Sequence, residues 1–259
     1  MRNALPLSLL LLTVAAAAWA QEPVSAPTPE TVLTSCKYSF TSGTGLNQIA
    51  FCLDDRGSLL EFISPAGENH LVGSSEGFGI CDIDAATGYY YYAAGGTSSN
   101  LDKSVDSQPG GPGTFPVRVV TKTADGAFTL TQTFSWNTNE RIVKVAMALK
   151  NTTTVSKRVY LLRFANINAD TTNTNVFGHD LDSAWGATNG AYGLMLATTP
   201  TPVLHNGIVQ NTASAPNPCN PFGASVDSFT GDGSVIEMFN DNNLGPGVTF
   251  TFNVEYKRF

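Results

Sequence analysis

The stretch Ala127-Phe128-Thr129-Leu130-Thr131-Gln132-Thr133-Phe134-Ser135-Trp136 decides the fold class. Phe128, Leu130, Phe134 and Trp136 fall on one face, and Thr129, Thr131, Thr133 and Ser135 on the other. Side chains of a strand alternate faces with period two, so this pattern marks a strand with one face buried. Asp125-Gly126, a hairpin-turn dipeptide, precedes it, which makes Val117 to Thr123 its expected partner. Downstream, Val143, Val145, Met147 and Leu149 share a face within Arg141–Leu149. Val155 to Ala165 is longer and more apolar, as befits a central strand. At the C-terminal end Val248, Phe250, Phe252, Val254 and Tyr256 alternate with Thr249, Thr251, Asn253 and Glu255, after a break at Gly245-Pro246-Gly247.

Shorter runs of the same kind are Tyr38–Thr41, Gln48–Leu53, Leu59–Ile63, Phe78–Ile83, Tyr89–Ala93, Gly193–Ala197 and Ser225–Phe229. Roughly a dozen strands at short intervals predict an all-β protein built as a large antiparallel β-sandwich with little helix. Only Ser234 to Asn240 offers a choice, between one short helix and an edge strand. Gly95 to Pro116 and Ala213 to Pro221 read as long loops. With no internal repeat and no long linker, residues 36–259 are read as one sandwich domain.

The N-terminus carries an export signal: Arg2, an apolar run from Leu5 to Ala18, and the small-x-small site Ala18-Trp19-Ala20. The reading is a signal peptide over residues 1–20, then a flexible Pro-, Ser- and Thr-rich leader over 21–35. The apolar run is short for a bilayer core of about 30 Å, which argues against a retained anchor. Gln21 in place of Cys argues against a lipoprotein. No later run is apolar enough to insert, so the expected location is secreted or periplasmic.

That location makes Cys36, Cys52, Cys81 and Cys219 disulfide candidates. Of three possible pairings, Cys36–Cys52 with Cys81–Cys219 is preferred. The first two cysteines lie on successive runs able to form a hairpin. The second bridge would close a long loop, worth about 5 kcal/mol in the chain-entropy picture. Zinc is the competing use of cysteine, but no two cysteines have zinc-ribbon spacing.

The chain carries 14 basic and 21 acidic residues, a net charge of −7, and cleavage after Ala20 would remove one of the basic ones. A negative protein is poorly suited to nucleic-acid backbones or anionic membranes. Charged residues make up 14% of the sequence, against about 25% in an average protein.

Three patches together resemble a group of exported bacterial proteins with no assigned activity: Gly57 to His70, Glu76-Gly77-Phe78-Gly79-Ile80-Cys81, and Thr129 to Asn151 followed by Leu162-Arg163-Phe164-Ala165-Asn166. That resemblance covers about half the chain after the signal and assigns no functional residue. More loosely, Leu244 to Phe252 is similar to the closing strands of large sandwiches, including the galactose-mutarotase-like supersandwich. The likeness is one of fold, which does not fix function.

No Gly-x-Ser-x-Gly elbow, His-Glu-x-x-His, phosphate loop or Cys-x-x-Cys is present. Asn166, Asn168 and Asp170 alternate and would project from one face. With Asp180 and Asp182 they form an oxygen-rich set suited to Ca²⁺, though not an EF-hand loop. The competing view is a solvated, Asx-rich strand end. For acid–base chemistry His179 is the candidate acid, with Asp180, Asp182, Glu237 or Glu255 as carboxylate partner. His70 and His205 read as structural and surface residues. The run Tyr89-Tyr90-Tyr91-Tyr92 sends two rings to each face of a sheet. Tyr90, Tyr91 and Trp185 are the candidates for stacking on a sugar or a surface protein; packing under a covering loop is the alternative. Three functions stay open: a glycan-binding or surface-interaction module, a mutarotase-like or lyase-like carbohydrate-active enzyme, and a structural subunit of a cell-surface assembly.

Overall fold

The computed structural model describes residues 36–71, 76–93, 97–169, 174–188, 192–199 and 204–259. The expected signal peptide and leader lie outside these residues, as does Asp170. The architecture is all-β and antiparallel throughout the described pairings. A short 3-10 turn is present at Gly45–Asn47.

Two sheets form the body. The seven-stranded sheet runs, in spatial order, β16 (Ser225–Val226), β15 (Leu204–Gln210), β18 (Ser234–Leu244), β11 (Lys157–Asn166), β4 (Glu76–Asp82), β5 (Thr87–Tyr92) and β6 (Thr97–Ser99). The nine-stranded sheet runs β17 (Ser228–Gly231), β12 (Asn175–His179), β13 (Ser183–Ala187), β14 (Gly193–Thr198), β19 (Thr249–Arg258), β10 (Ile142–Asn151), β9 (Phe128–Trp136), β8 (Val117–Lys122) and β7 (Val105–Ser107). A third, three-stranded sheet holds β1 (Tyr38–Ser42), β2 (Ile49–Leu53) and β3 (Leu59–Ile63).

The alternating sequences do what their pattern predicts. β8 and β9 form a hairpin, with Gly126 at φ 72° in the turn. β9, β10 and β19 present Phe128, Leu130, Phe134, Val143, Val145, Met147, Leu149, Phe252 and Val254 to the core. Across from them β11 gives Val159, Leu161 and Ala165, and β18 gives Val235 and Phe239. β11 is indeed central, the fourth strand of seven.

β18 corrects the reading of Ser234–Asn240. It is neither a helix nor an edge, but an eleven-residue strand between β15 and β11. The region read as a loop between Gly95 and Pro116 contains β6 and β7, and the Asp-rich segment contains the β12–β13 hairpin.

Inside the apolar core sits a fully buried polar knot. Arg163 Nε meets Glu76 Oε1 and the Tyr256 hydroxyl, each at 2.6 Å, and Arg163 NH2 donates to the Gly57 carbonyl at 2.9 Å. Its remaining nitrogen donates to Gln132 Oε1, and the Leu59 N–H donates to Glu76 Oε2 at 2.7 Å. The knot ties β4, β9, β11 and β19 together across both sheets. A buried charge is tolerable only when paired and hydrogen-bonded in this way.

Both disulfides are present, Cys36–Cys52 and Cys81–Cys219. The first staples the chain just before β1 to β2. The second crosses the outer face of the seven-stranded sheet, from β4 to the segment after β15.

Candidate ligand-binding cleft

The tyrosine run lies on β5, and the pleat divides it. Tyr89 and Tyr91 point into the sandwich. The Tyr89 hydroxyl donates to Asp125 at 2.6 Å and that of Tyr91 to Asp54 at 2.7 Å. Tyr91 is 8% exposed, and Arg56 sits 4.9 Å from its ring centroid. Burial, reinforced by Asp54, holds its phenol well above the usual range. Tyr91 is therefore a core residue and has no face free for a ligand. The period of two that sends Tyr90 outward is what sends Tyr91 inward.

Tyr90 and Tyr92 point to the outer face, stacked with centroids 5.2 Å apart. There they join a second apolar layer made by Leu162, Phe164, Ile208, Ile236 and Met238. The chain after β15 covers part of this layer. Tyr92 is buried and donates its hydroxyl to the Pro216 carbonyl at 2.7 Å. Pro218 drops into a notch created by two glycines. A β-carbon at Gly79 would lie 2.9 Å from the Pro218 Cβ, and one at Gly88 3.0 Å from its Cγ. Next to Pro218, Cys219 is bonded to Cys81 of β4.

Between Tyr90 and this covering segment lies an open cleft of ≈450 Å³. Gly88, Tyr90, Tyr92, Pro216, Asn217, Pro218 and Cys219 are among the residues that line it. Tyr90 remains half-buried and supplies the ring face. The lining carries aromatic, prolyl and amide groups and, among the described residues, no charged side chain.

The other candidate residues lie elsewhere. Trp185 is on the outer face of the opposite sheet, edge-on to Phe259 at 5.8 Å and seated over Gly178. It shares no site with Tyr90. His179 ends β12 and is exposed; it borders a small groove of ≈160 Å³ with Asn206, Phe222 and Asp227. Asp180 Oδ1 accepts from the Asp182 N–H at 2.8 Å and the Ser183 hydroxyl at 3.0 Å, shaping the β12–β13 turn. Asp182 pairs with His205 Nε2 at 2.6 Å and not with His179. His205 is thus no bare surface residue: 9% of its side chain is exposed, and its imidazole rests near Phe239. His70 is buried with Nε2 2.8 Å from the Ser64 carbonyl.

Glu237 faces the interior from β18 and is completely buried, with neither carboxyl oxygen in hydrogen-bond geometry. Burial, then the charges of Asp180 and Asp182, push its ionisation well above the ordinary carboxylate value, against a weak opposing pull from the Ala184 N–H. Glu255 is engaged by Lys257 at 2.7 Å and Lys144 at 3.9 Å. The acid–base set around His179 is therefore not assembled: His179 is at the surface, Glu237 is sealed in the core, and Asp182 is held by His205.

Of the oxygen-rich set, Asp170 lies outside the described residues and the others have partners of their own. Asn166 donates toward the Ala213 carbonyl at 3.4 Å, and the Asn168 N–H donates to the His70 carbonyl at 3.0 Å. Among the described residues no group of three His, Cys, Asp or Glu side chains gathers as a metal site would require.

No protein-family model matches the sequence, and no curated protein matches it. Solved structures do match in fold. A bacterial glucoamylase complexed with acarbose superposes with a TM-score of 0.59 at 9% identity, over 90% of this chain and 33% of that one. Heparan sulfate lyase HepC from Pedobacter heparinus gives 0.48 at 11%, over 87% and 36%. A putative aldose 1-epimerase from Escherichia coli K12 gives 0.46 at 11%, over 85% and 98%. The chain spans a third of the length of the glucoamylase. At these identities the likeness is one of fold alone.

Proposed function

We propose that this is an exported glycan-binding protein whose site is the cleft between Tyr90 and the Pro216–Cys219 segment. The observation that carries the reading is Tyr90. It is a half-buried ring held in place by stacking on Tyr92, at the wall of an uncharged cleft large enough for one or two sugar rings. The C–H faces of a pyranose pack on such a ring, while Asn217 and the tyrosine hydroxyl offer hydrogen bonds to sugar hydroxyls. An uncharged lining on a protein of net charge −7 favours neutral saccharides. A uronate or sulfated sugar would be desolvated there without a cation to meet it. The two disulfides support an oxidising, extracytoplasmic location. Among the described residues no helix is long and apolar enough to cross a membrane.

A glycan array with neutral and acidic oligosaccharides tests the reading. Binding should be confined to neutral members. Tyr90→Ala should weaken it about tenfold, the equivalent of about 1.4 kcal/mol. Trp185→Ala, on the opposite face, should leave it unchanged. Absence of binding by the wild type, or binding indifferent to Tyr90→Ala, would overturn the assignment.

A further inference from the structure

The wall facing Tyr90 is a turn outside the regular strands. Among the described residues, the hydrogen bonds of the turn at 217–220 are local: the Cys219 N–H to Asn217 Oδ1 at 3.0 Å, the Asn220 N–H to the Asn217 carbonyl at 2.9 Å, and the Gly223 N–H to the Asn220 carbonyl at 3.1 Å. The anchors on either side lie outside it, at Tyr92 to the Pro216 carbonyl and at Gln210 Nε2 to the Pro221 carbonyl, both 2.7 Å. What fixes the turn to the sheet is Pro218 in its glycine notch and the Cys81–Cys219 bond beside it. The notch supplies contact but no directional bond. The disulfide joins residues 138 apart in sequence, and it is the one covalent tie between this wall and β4.

We propose that the cleft is gated by this disulfide: a dithiol reductant acting on Cys81–Cys219 frees the 217–220 turn, lifts Pro218 from the notch and dismantles the site. The inference rests on reading the cleft as the binding site and adds its regulation. The two cysteine residues differ in exposure. Cys81 is buried, whereas Cys219 is partly exposed and lines the cleft. A thiolate of the reductant attacks the Cys219 sulfur, the S–S bond breaks, and Cys81 leaves as thiolate and takes up a proton. The second thiol of the reductant then closes on the mixed disulfide, releasing Cys219 as a thiol and the reductant as its own disulfide. Two electrons and two protons pass to the protein. Reoxidation by a protein or small-molecule disulfide, which takes back the two electrons and two protons by the same exchange, restores the bond and with it the seat of the turn.

The test uses the folded full chain and needs no ligand for its first readout. Hydrogen exchange is followed with and without a dithiol, with thiols located by mass spectrometry. The Cys36→Ser/Cys52→Ser protein serves alongside the wild type so that one bond at a time is followed. Reduction should raise exchange across 211–221 at least tenfold while β9, β10 and β19 stay protected. The second readout is the neutral oligosaccharide retained best on the array, whose binding should be lost on reduction and return on reoxidation. Gly88→Ala, whose β-carbon would press on Pro218 in the notch, should weaken the same binding with the disulfide intact. Unchanged exchange at 211–221 with both thiols free would overturn the gating, as would a bond that resists excess dithiol in the folded protein. If exchange responds and no oligosaccharide binds, the gate stands and the sugar assignment falls.

Discussion

Replacing Glu237 by Gln should remove a pH dependence of stability that one side chain creates. Glu237 is completely buried and its carboxyl oxygens find no donor in hydrogen-bond geometry. The charged groups around it do not help. Asp180 and Asp182 are of like sign; Arg163, opposite it on β11, spends its guanidinium on Glu76, Gln132, Tyr256 and Gly57; His205 is committed to Asp182. The folded state therefore keeps the proton at a pH where the unfolded chain has released it. Below the ordinary glutamate value both states are protonated and no penalty exists. Above that value the folded state binds more protons, so stability falls as pH rises. The slope approaches about 1.4 kcal/mol per pH unit and levels off above the folded-state value. Urea midpoints of wild type and Glu237→Gln, measured from pH 4 to pH 9 in otherwise identical buffers, isolate the effect. The two proteins should converge at the acidic end and separate as pH rises, the variant being the more stable. Glu237→Leu should match or exceed Glu237→Gln at neutral pH, since it leaves no polar group to desolvate. A wild-type minus variant difference that stays flat with pH would show that Glu237 ionises freely, and the reasoning would fail.

Arg163→Met should cost about 3–5 kcal/mol in denaturant unfolding, because it strands Glu76 in the core; adding Glu76→Gln should recover part of the loss. Tyr92→Phe removes the bond to the Pro216 carbonyl, and should cost about 1 kcal/mol and raise exchange at 211–221 while the sheets stay protected. Phe252→Ala should destabilise by about 3–5 kcal/mol in thermal or urea melts, since its ring is fully buried against Phe239 and Phe250. Burial, and then the Asp106 carboxylate at 2.5 Å, push the Tyr38 phenol up to about 12. Asp106→Asn should bring its tyrosinate titration partway back toward the ordinary value.

Strands with one wet face were legible in the sequence because their polar and apolar residues alternate. β9, β10 and β19 are of this kind, and all fall within two residues of their expected ends. β18 escaped because it is buried on both faces. Val235 and Phe239 fill the main core while Ile236 and Met238 fill the outer layer, so period two is erased, and Glu237 in the middle imitates a surface position. β12 and β13 were hidden by Gly178 and Gly186, where the rings of Trp185 and Phe177 occupy the space of a β-carbon. At the candidate site, Tyr90 was visible as a member of an aromatic run. Of its opposite wall only Cys219 was legible, through its pairing with Cys81; Pro218 was not, since it reaches its glycine notch only through a fold that joins distant segments. His205 was passed over for the same reason: its partner Asp182 lies 23 residues away. That Asp180 is engaged within its own turn could not be read from spacing.

The buried knot around Arg163 also acts as a parity check on assembly. A strand that pairs one residue out of register turns every side chain to the opposite face. If β11 slipped by one, Arg163 would move into the apolar layer with Ile236 and Met238, and Leu162 or Phe164 would meet Glu76 and Gln132. The same error in β4, β9 or β19 would pull Glu76, Gln132 or Tyr256 out of reach. Each of the four strands carries one token of a polar code that closes only when all are in phase. A sandwich of many short, Thr-rich strands has numerous nearly equivalent pairings, and here a single guanidinium distinguishes the correct one from its neighbours.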